Sequence, residues 1–380
     1  MTRLQKAILA FLTVIALALT GLVIWLYEAQ WQKPLGPSLQ LATWTPYGLP
    51  ATWTPDPNAT KTPRASSNPV SVKPTFTQAP LCGAPPVMNI LVIGSDARAD
   101  SYNYGLADVI RLVRVDFVNP KVTILEFPRD LWVQIPDVAD NLNGQDYEKL
   151  NQAYLYGNPG FNYTDDPAQG PGLLARTLAL NFGAHIDHYA AVNMRTFVNI
   201  VNAVGGIDVH LPEPVDGRTA EDTSSRLLFR SGTLHLNGDR ALTLARIRIE
   251  GGFVRTENQN RVLCALRDQL TNPAVIKKIP DLIKSFEDNV QTDLSPAQIS
   301  QLACIGAQIE PGGIRFANFP EELFNTTREY DPVFGKNVSI LKVDFDVLRG
   351  YVAQFNEGTW PPASSDTPEN SGAEEVPFCP

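Results

Sequence analysis

The hydrophobic pattern divides the chain into zones. From Ala7 to Tyr27 the residues are uncharged and almost wholly apolar, a run long enough to cross a bilayer as one helix. It ends in Trp25-Leu26-Tyr27 with no Ala-x-Ala site, which predicts an uncleaved anchor rather than a signal peptide. Arg3 and Lys6 precede the run, so the positive-inside rule keeps the short N-terminus in the cytoplasm and places all that follows outside. From about Gln32 to Pro80, Pro, Thr and Ser mix with scattered apolar positions, and Thr-Trp-Thr-Pro occurs at 43–46 and 52–55. Proline at that density blocks helix and sheet, and so few apolar side chains build no core. The predicted organisation is a cytoplasmic end (1–6), a transmembrane helix (7–27), a disordered stalk (28–81), one globular domain (82–360) and a polar tail (361–380).

Within the domain, Met88–Ile93, Val109–Phe117, Val122–Phe127 and Leu131–Ile135 read as strands, and the short Asn119-Pro120-Lys121 connection makes one pair an antiparallel hairpin. Helical spacing follows at Lys149–Tyr156 and at Gly172–Phe182, which Gly183 stops. His188–Val192 is a strand, Met194–Val204 a helix closed by Gly205-Gly206, and Ile207–Leu211 a strand. Pro212–Leu234 is polar and reads as a surface loop. Helices are then predicted at Asp239–Arg246, Glu257–Leu270, Pro273–Phe286 and Pro296–Ile309, a strand at Ile314–Asn318 and a last helix at Val343–Phe355. Strands interspersed with helices, one hairpin among them, predict a three-layer α/β/α sandwich around a mixed, partly antiparallel sheet.

Composition narrows the function. The net charge of -9 over 380 residues excludes a basic nucleic-acid-binding field. The four cysteines, in a domain expected outside the cell, allow three disulfide pairings; the preferred one joins Cys82 to Cys379 and Cys264 to Cys304. His185, His188, His210 and His235 lack metal-ligand spacing.

Charge set among apolar strands marks the candidate chemistry. Gly94-Ser95-Asp96-x-Arg98 ends the first strand, Asp108 opens the next, and Phe127-Pro128-Arg129-Asp130 ends the third. Strand ends present side chains to clefts, and two carboxylates beside arginines suit a divalent metal and a phosphate. Pro128 interrupts the ladder and aims Arg129 out of the sheet. Arg246, Arg248 and Arg255 follow where a helix ends, a set suited to bidentate phosphate binding.

At these residues the chain resembles the LytR–CpsA–Psr family of envelope proteins. The resemblance runs from about Met88 to Leu270 through Gly94-Ser95-Asp96-x-Arg98, Ala107-Asp108, Pro128-Arg129-Asp130, Lys149-Leu-Asn-Gln-Ala-Tyr154, Val204-Gly-Gly-Ile-Asp-Val209, Leu236-Asn-Gly238, Ala245-Arg246-Ile-Arg248, Arg255-Thr256 and Gln259. It implies transfer of a glycopolymer from a polyprenyl-pyrophosphate carrier to peptidoglycan or another cell-wall acceptor outside the plasma membrane. It also implies Mg2+ held by Asp96 and Asp108, and a phosphate clamp of Arg98, Arg129, Lys149, Arg246, Arg248 and Arg255, supported by Gln259. The lipid would lie in an apolar tunnel between sheet and helices. The chain departs from the family pattern at Leu106, where an arginine is expected, near Gly252, where an aspartate is expected, and near Asn258, where another arginine is expected. Two further readings therefore stand beside the transferase: a polyprenyl-pyrophosphate hydrolase, and a non-catalytic binder or sensor of lipid-linked envelope polymer.

Overall fold

The computed structural model describes residues 3–26, 29, 31–41, 78–97, 102, 104–138, 144–160, 163–164, 166–247, 252–271, 290–310, 312–331 and 334–361. Helix α1 (Arg3–Leu26) comes first. Its described apolar side chains, Phe11, Leu17, Val23 and Trp25 among them, are exposed. Among the described residues no helix is long and apolar enough to cross a membrane.

The centre of the domain is a mixed sheet built from β1 (Val87–Ser95), β2 (Ala107–Asp116), β3 (Lys121–Glu126), β6 (His188–Asn193), β11 (Val290–Thr292) and β12 (Ile314–Ala317). Their order is β11-β6-β1-β2-β3-β12. β1, β2 and β3 pair antiparallel, while β6 lies parallel to β1 and β12 parallel to β3. The alternation that predicts these strands is their burial pattern: Leu91, Ile93, Ile110, Leu112 and Leu125 face one core, and Met88, Ile90 and Val115 another. Helices α2 (Leu150–Gly157), α3 (Gln169–Phe182) and α8 (Phe345–Glu357) supply Tyr154, Leu174 and Phe355 to the first core. Helix α7 (Pro296–Gly306) supplies Ile305 to the second. The sheet is thus covered on both faces.

A satellite core lies beside the sheet. Helices α4 (Met194–Ala203), α5 (Gly238–Arg246) and α6 (Gly252–Thr271) pack there with β7 (Ile207–Leu211) and β10 (Gly232–Leu236) around Val201, Val209, Leu244 and Val262. The predicted loop 212–234 is partly strand: β10 pairs antiparallel with β7, and β8 (Val215–Asp216) pairs with β9 (Leu228–Phe229). Two further pairs were not predicted as pairs, β4 (Trp132–Gln134) with β5 (Tyr147–Lys149), and β13 (Asn325–Asp331) with β14 (Lys336–Lys342). The predicted helix 273–286 lies outside the described residues.

The cysteine pairing differs from the expected one. Cys82 bonds Cys304, with Cα atoms 5.9 Å apart, because the turn at Leu81–Gly83 packs on α7. Cys264 is also disulfide-bonded. The segment expected to be stalk begins and ends on the domain. Leu35 N donates to Leu294 O at 3.2 Å, the Tyr189 hydroxyl donates to Pro37 O at 3.1 Å, and Leu39 and Leu41 pack on the main core. Leu81 N donates to Phe117 O at 2.8 Å. Residues 42–77 lie outside the described residues.

Candidate functional site

The β1–β2 hairpin sets the first two acidic residues side by side. Ser95 pairs with Ala107 across a bulge, which puts Asp96 and Asp108 just beyond and just inside that last rung. Asp96 is half-buried, and one of its carboxylate oxygens accepts the Leu106 N–H at 2.6 Å, while its own N–H donates to Leu106 O at 3.0 Å. The Asp96 turn therefore closes on Leu106, the position where an arginine is expected.

β3 ends at Glu126, and Pro128-Arg129-Asp130 turns the chain toward β4. The bend carries Arg129 to Asp108, with which it forms a close ion pair, the side chains being 20% and 24% exposed. Arg129 Nε lies 3.4 Å from Asp130 Oδ2, and Lys149 Nζ, at the end of β5, lies 2.9 Å from Asp130 Oδ1. Burial opposes the charge on Arg129, and Asp108 and Asp130 more than offset it, so its pKa is raised. The result is a row of alternating charge, Asp108–Arg129–Asp130–Lys149.

This row lines a cavity of about 570 Å³. Glu126, Phe127, Pro128, Phe319 and Phe324 form other parts of its wall, and β14 closes a side with Ser339, Ile340 and Leu341. The β13–β14 hairpin is anchored by Leu341 N donating to Asp130 O at 2.9 Å. Two cations share this concavity with the carboxylates of Asp108, Glu126, Asp130 and Glu321 and with an apolar wall, so an amphiphile with an anionic head suits it when a divalent cation accompanies that head.

The remaining predicted residues lie apart from this cavity or outside what is described. Arg246 is the last residue of α5 and is exposed. Gln259, on α6, donates to Ala245 O at 3.3 Å and accepts from Arg111 Nη2 at 3.4 Å. Arg255 lies in α6, with its side chain outside the described residues; Arg98 and Arg248 are outside them altogether. Two residues that sequence reasoning passed over connect the parts. Arg111, buried in mid-β2, pairs with Glu126 at 2.7 Å, and Glu126 lines the cavity. The available signal was an arginine flanked by Ile110 and Leu112 inside an apolar run.

The donor chemistry bears on magnesium. Asp96 and Asp108 offer hard carboxylate oxygens at one hairpin end, and Mg2+ characteristically takes one or two carboxylates, completing its shell with water and phosphate oxygens. The residues fit that ion when a phosphate ligand shares it. Among the described residues no group of three or more His, Cys, Asp or Glu side chains could hold a metal by itself.

Comparison with known proteins follows the same line. A polyisoprenyl-teichoic acid–peptidoglycan teichoic acid transferase, TagV of Bacillus subtilis, is 32% identical over 209 residues, covering 54% of this chain and 49% of that protein. The transferase TagU of Oceanobacillus iheyensis is 28% identical over 218 residues, covering 57% of this chain and 61% of its own length. The match thus spans about half to three-fifths of these curated relatives. The crystal structure of B. subtilis TagV superposes with a TM-score of 0.53 at 25% identity, over 71% of this chain and 97% of that one. The model of the LytR_cpsA_psr family matches residues 58–344, and the chain belongs to that family.

Proposed function

We propose that this protein is a membrane-anchored, extracytoplasmic phosphotransferase that moves a glycopolymer from a polyprenyl-pyrophosphate carrier to peptidoglycan or a related cell-wall acceptor. The observation that carries this reading is the row Asp108–Arg129–Asp130–Lys149 along a cavity that also has apolar walls. The similarity to TagV and TagU, polyisoprenyl-teichoic acid–peptidoglycan teichoic acid transferases, supports the donor and acceptor classes. The exposed apolar side chains of α1, preceded by Arg3 and Lys6, support an anchor in the plasma membrane with its N-terminus in the cytoplasm.

In this reaction the acceptor-sugar hydroxyl attacks the phosphorus that bears the glycan. The bond from that phosphorus to the bridging oxygen breaks, the hydroxyl proton passes to a carboxylate, Asp96 or Asp108, polyprenyl phosphate leaves, and the glycan phosphate is joined to the acceptor as a phosphodiester. Arg129 and Lys149 bind phosphoryl oxygens, and the flanking carboxylates fix the two cations in place. Arg246, with Arg248 and Arg255, completes the clamp, and Gln259 braces it. Asp96 and Asp108 would hold Mg2+, which when bound supplies further neutralisation of the pyrophosphate. Catalysis is then mainly positioning and electrostatics, as in other phosphoryl transfers.

The test incubates the full chain in detergent micelles with a polyprenyl-pyrophosphate glycan, with and without peptidoglycan. Release of polyprenyl phosphate that requires peptidoglycan is the expected result. Release at the same rate without it would make the protein a hydrolase, and absence of release with any divalent ion would leave a binder.

A further inference from the structure

Arg111 is an expensive residue in an unexpected place. It is 2% exposed in the middle of a central strand, with its guanidinium carbon 5.8 Å from the centre of the Phe316 ring. One nitrogen, Nη2, makes both of its hydrogen bonds, to Glu126 Oε2 at 2.7 Å and Gln259 Oε1 at 3.4 Å. Among the described residues its Nε and Nη1 have no hydrogen-bond partner. Burying an ion pair is costly, and apolar side chains of similar volume commonly leave a fold equally or more stable. Unpartnered buried N–H groups add to that cost. Stability gives no reason for this pair.

Position does. Arg111 and Glu126 face each other across β2 and β3. Glu126 is a wall of the cavity, three residues before Arg129. Through the same nitrogen Arg111 donates to the Gln259 amide oxygen, and the amide nitrogen in turn donates to the carbonyl of Ala245, the residue before Arg246. One guanidinium thus ties the cavity wall to α6 and to the end of α5. These elements come from distant parts of the chain and carry the two halves of the proposed phosphate clamp.

We propose that the Arg111–Glu126 pair, its guanidinium buried and its carboxylate at the cavity wall, is a positioning pair, which sets the Arg246 end of α5 in register with the Asp108–Arg129–Lys149 row. This inference rests on the proposed transferase reading. An apolar replacement would keep the packing and lose the tie, so the two halves of the clamp would no longer be held to each other.

The test uses the full chain and two variants, the double substitution Arg111→Met/Glu126→Leu and the conservative Arg111→Lys. Four quantities are measured on each: thermal stability, affinity for a short-chain polyprenyl pyrophosphate, and kcat and KM for transfer. The double variant is expected to melt at or above the native temperature, yet to bind the pyrophosphate about 10-fold more weakly and to lose about 100-fold in kcat, the scale on which misplacement of roughly 1 Å is felt. Arg111→Lys keeps the charge but not the planar fork, and recovers part of the binding and of kcat. A double variant that melts normally and matches the native protein in binding and turnover would overturn the inference. If the native protein shows no transfer, the transferase reading fails, and the binding measurement still decides the role of the pair.

Discussion

Replacing Glu148 with Gln should stabilise the protein at alkaline pH and not at acid pH. Glu148 precedes Lys149 on β5 and is completely buried, as is Asp331 on β13. Gln152 lies between them, and its Nε2 donates to both carboxylates at 3.1 Å. The Tyr156 hydroxyl donates to Gln152 Oε1, which fixes the amide's orientation. Glu148 Oε1 has no partner among the described residues. Burial first, and the Asp331 charge second, push the Glu148 carboxyl up from 4.5 to about 8. The folded state therefore holds this proton between pH 4.5 and about 8 while the unfolded state releases it, so stability falls across that window and levels off above it. At about 1.4 kcal/mol per pH unit the full loss is roughly 5 kcal/mol. A neutral Gln avoids that loss but leaves an amide N–H to be satisfied, at about 1–2 kcal/mol. The net expectation is about 3 kcal/mol of stabilisation at pH 9, a rise of roughly 6–12 °C in Tm for a domain of this size. Near pH 4.5 the variant should gain nothing. Circular-dichroism melts of both proteins from pH 4.5 to 9 measure the difference. A Tm difference that does not change with pH would refute the reasoning.

Other consequences follow from the same geometry. Asp108→Ala removes the closest partner of half-buried Arg129 and should lower transfer about 100-fold, the scale of losing a preorganised charge, with a far smaller effect on Tm; equal losses of activity and of folded protein would contradict it. Cys304→Ser opens a disulfide spanning 222 residues of sequence and should cost about 2–5 kcal/mol, read as a lower Tm than the native protein's under oxidising conditions, a difference that should vanish when both proteins are reduced. A Cβ at Gly36 would meet Thr292 O at 2.6 Å, so Gly36→Val should lift residues 35–41 off β11 and speed hydrogen exchange at the Leu35 amide, which donates to Leu294 O, whereas unchanged exchange would mean the segment is not held there.

Legibility in the sequence followed burial. β1, β2 and β3 could be read because one face of each is apolar and the alternation is long enough to see, and the Pro128 stop could be read because proline ends a ladder. The β13–β14 hairpin could not. Asn325-Thr-Thr-Arg-Glu-Tyr-Asp331 is exposed along most of its length, so no alternation records its pairing. β10 does alternate, Leu234 and Leu236 inward and Thr233 and His235 outward, but the run is too short to stand out from the polar stretch before it. For the site, the rule that strand ends face clefts found Asp108 and Arg129, the family resemblance added Lys149, and the fold brings all three to one cavity wall. It passed over Arg111 because that residue sits inside a strand, where a charge reads as an exception rather than as a connection between elements. Pairing details were also out of reach. A sequence gives the order of cysteines and not which turn packs on which helix, so Cys82 was assigned to the wrong partner.

The central claim is that the protein joins a glycan to its acceptor through the phosphate that it takes from a polyprenyl pyrophosphate. Mass spectrometry of the product tests it most directly. The full chain is incubated with a polyprenyl-pyrophosphate glycan, peptidoglycan and Mg2+, and the muropeptides are then released by digestion. The account predicts muropeptides carrying the glycan through one phosphodiester, formed by the native protein and reduced about 100-fold in Asp108→Ala. Glycan recovered only as a free phosphate, or joined to peptidoglycan without phosphorus, would contradict it.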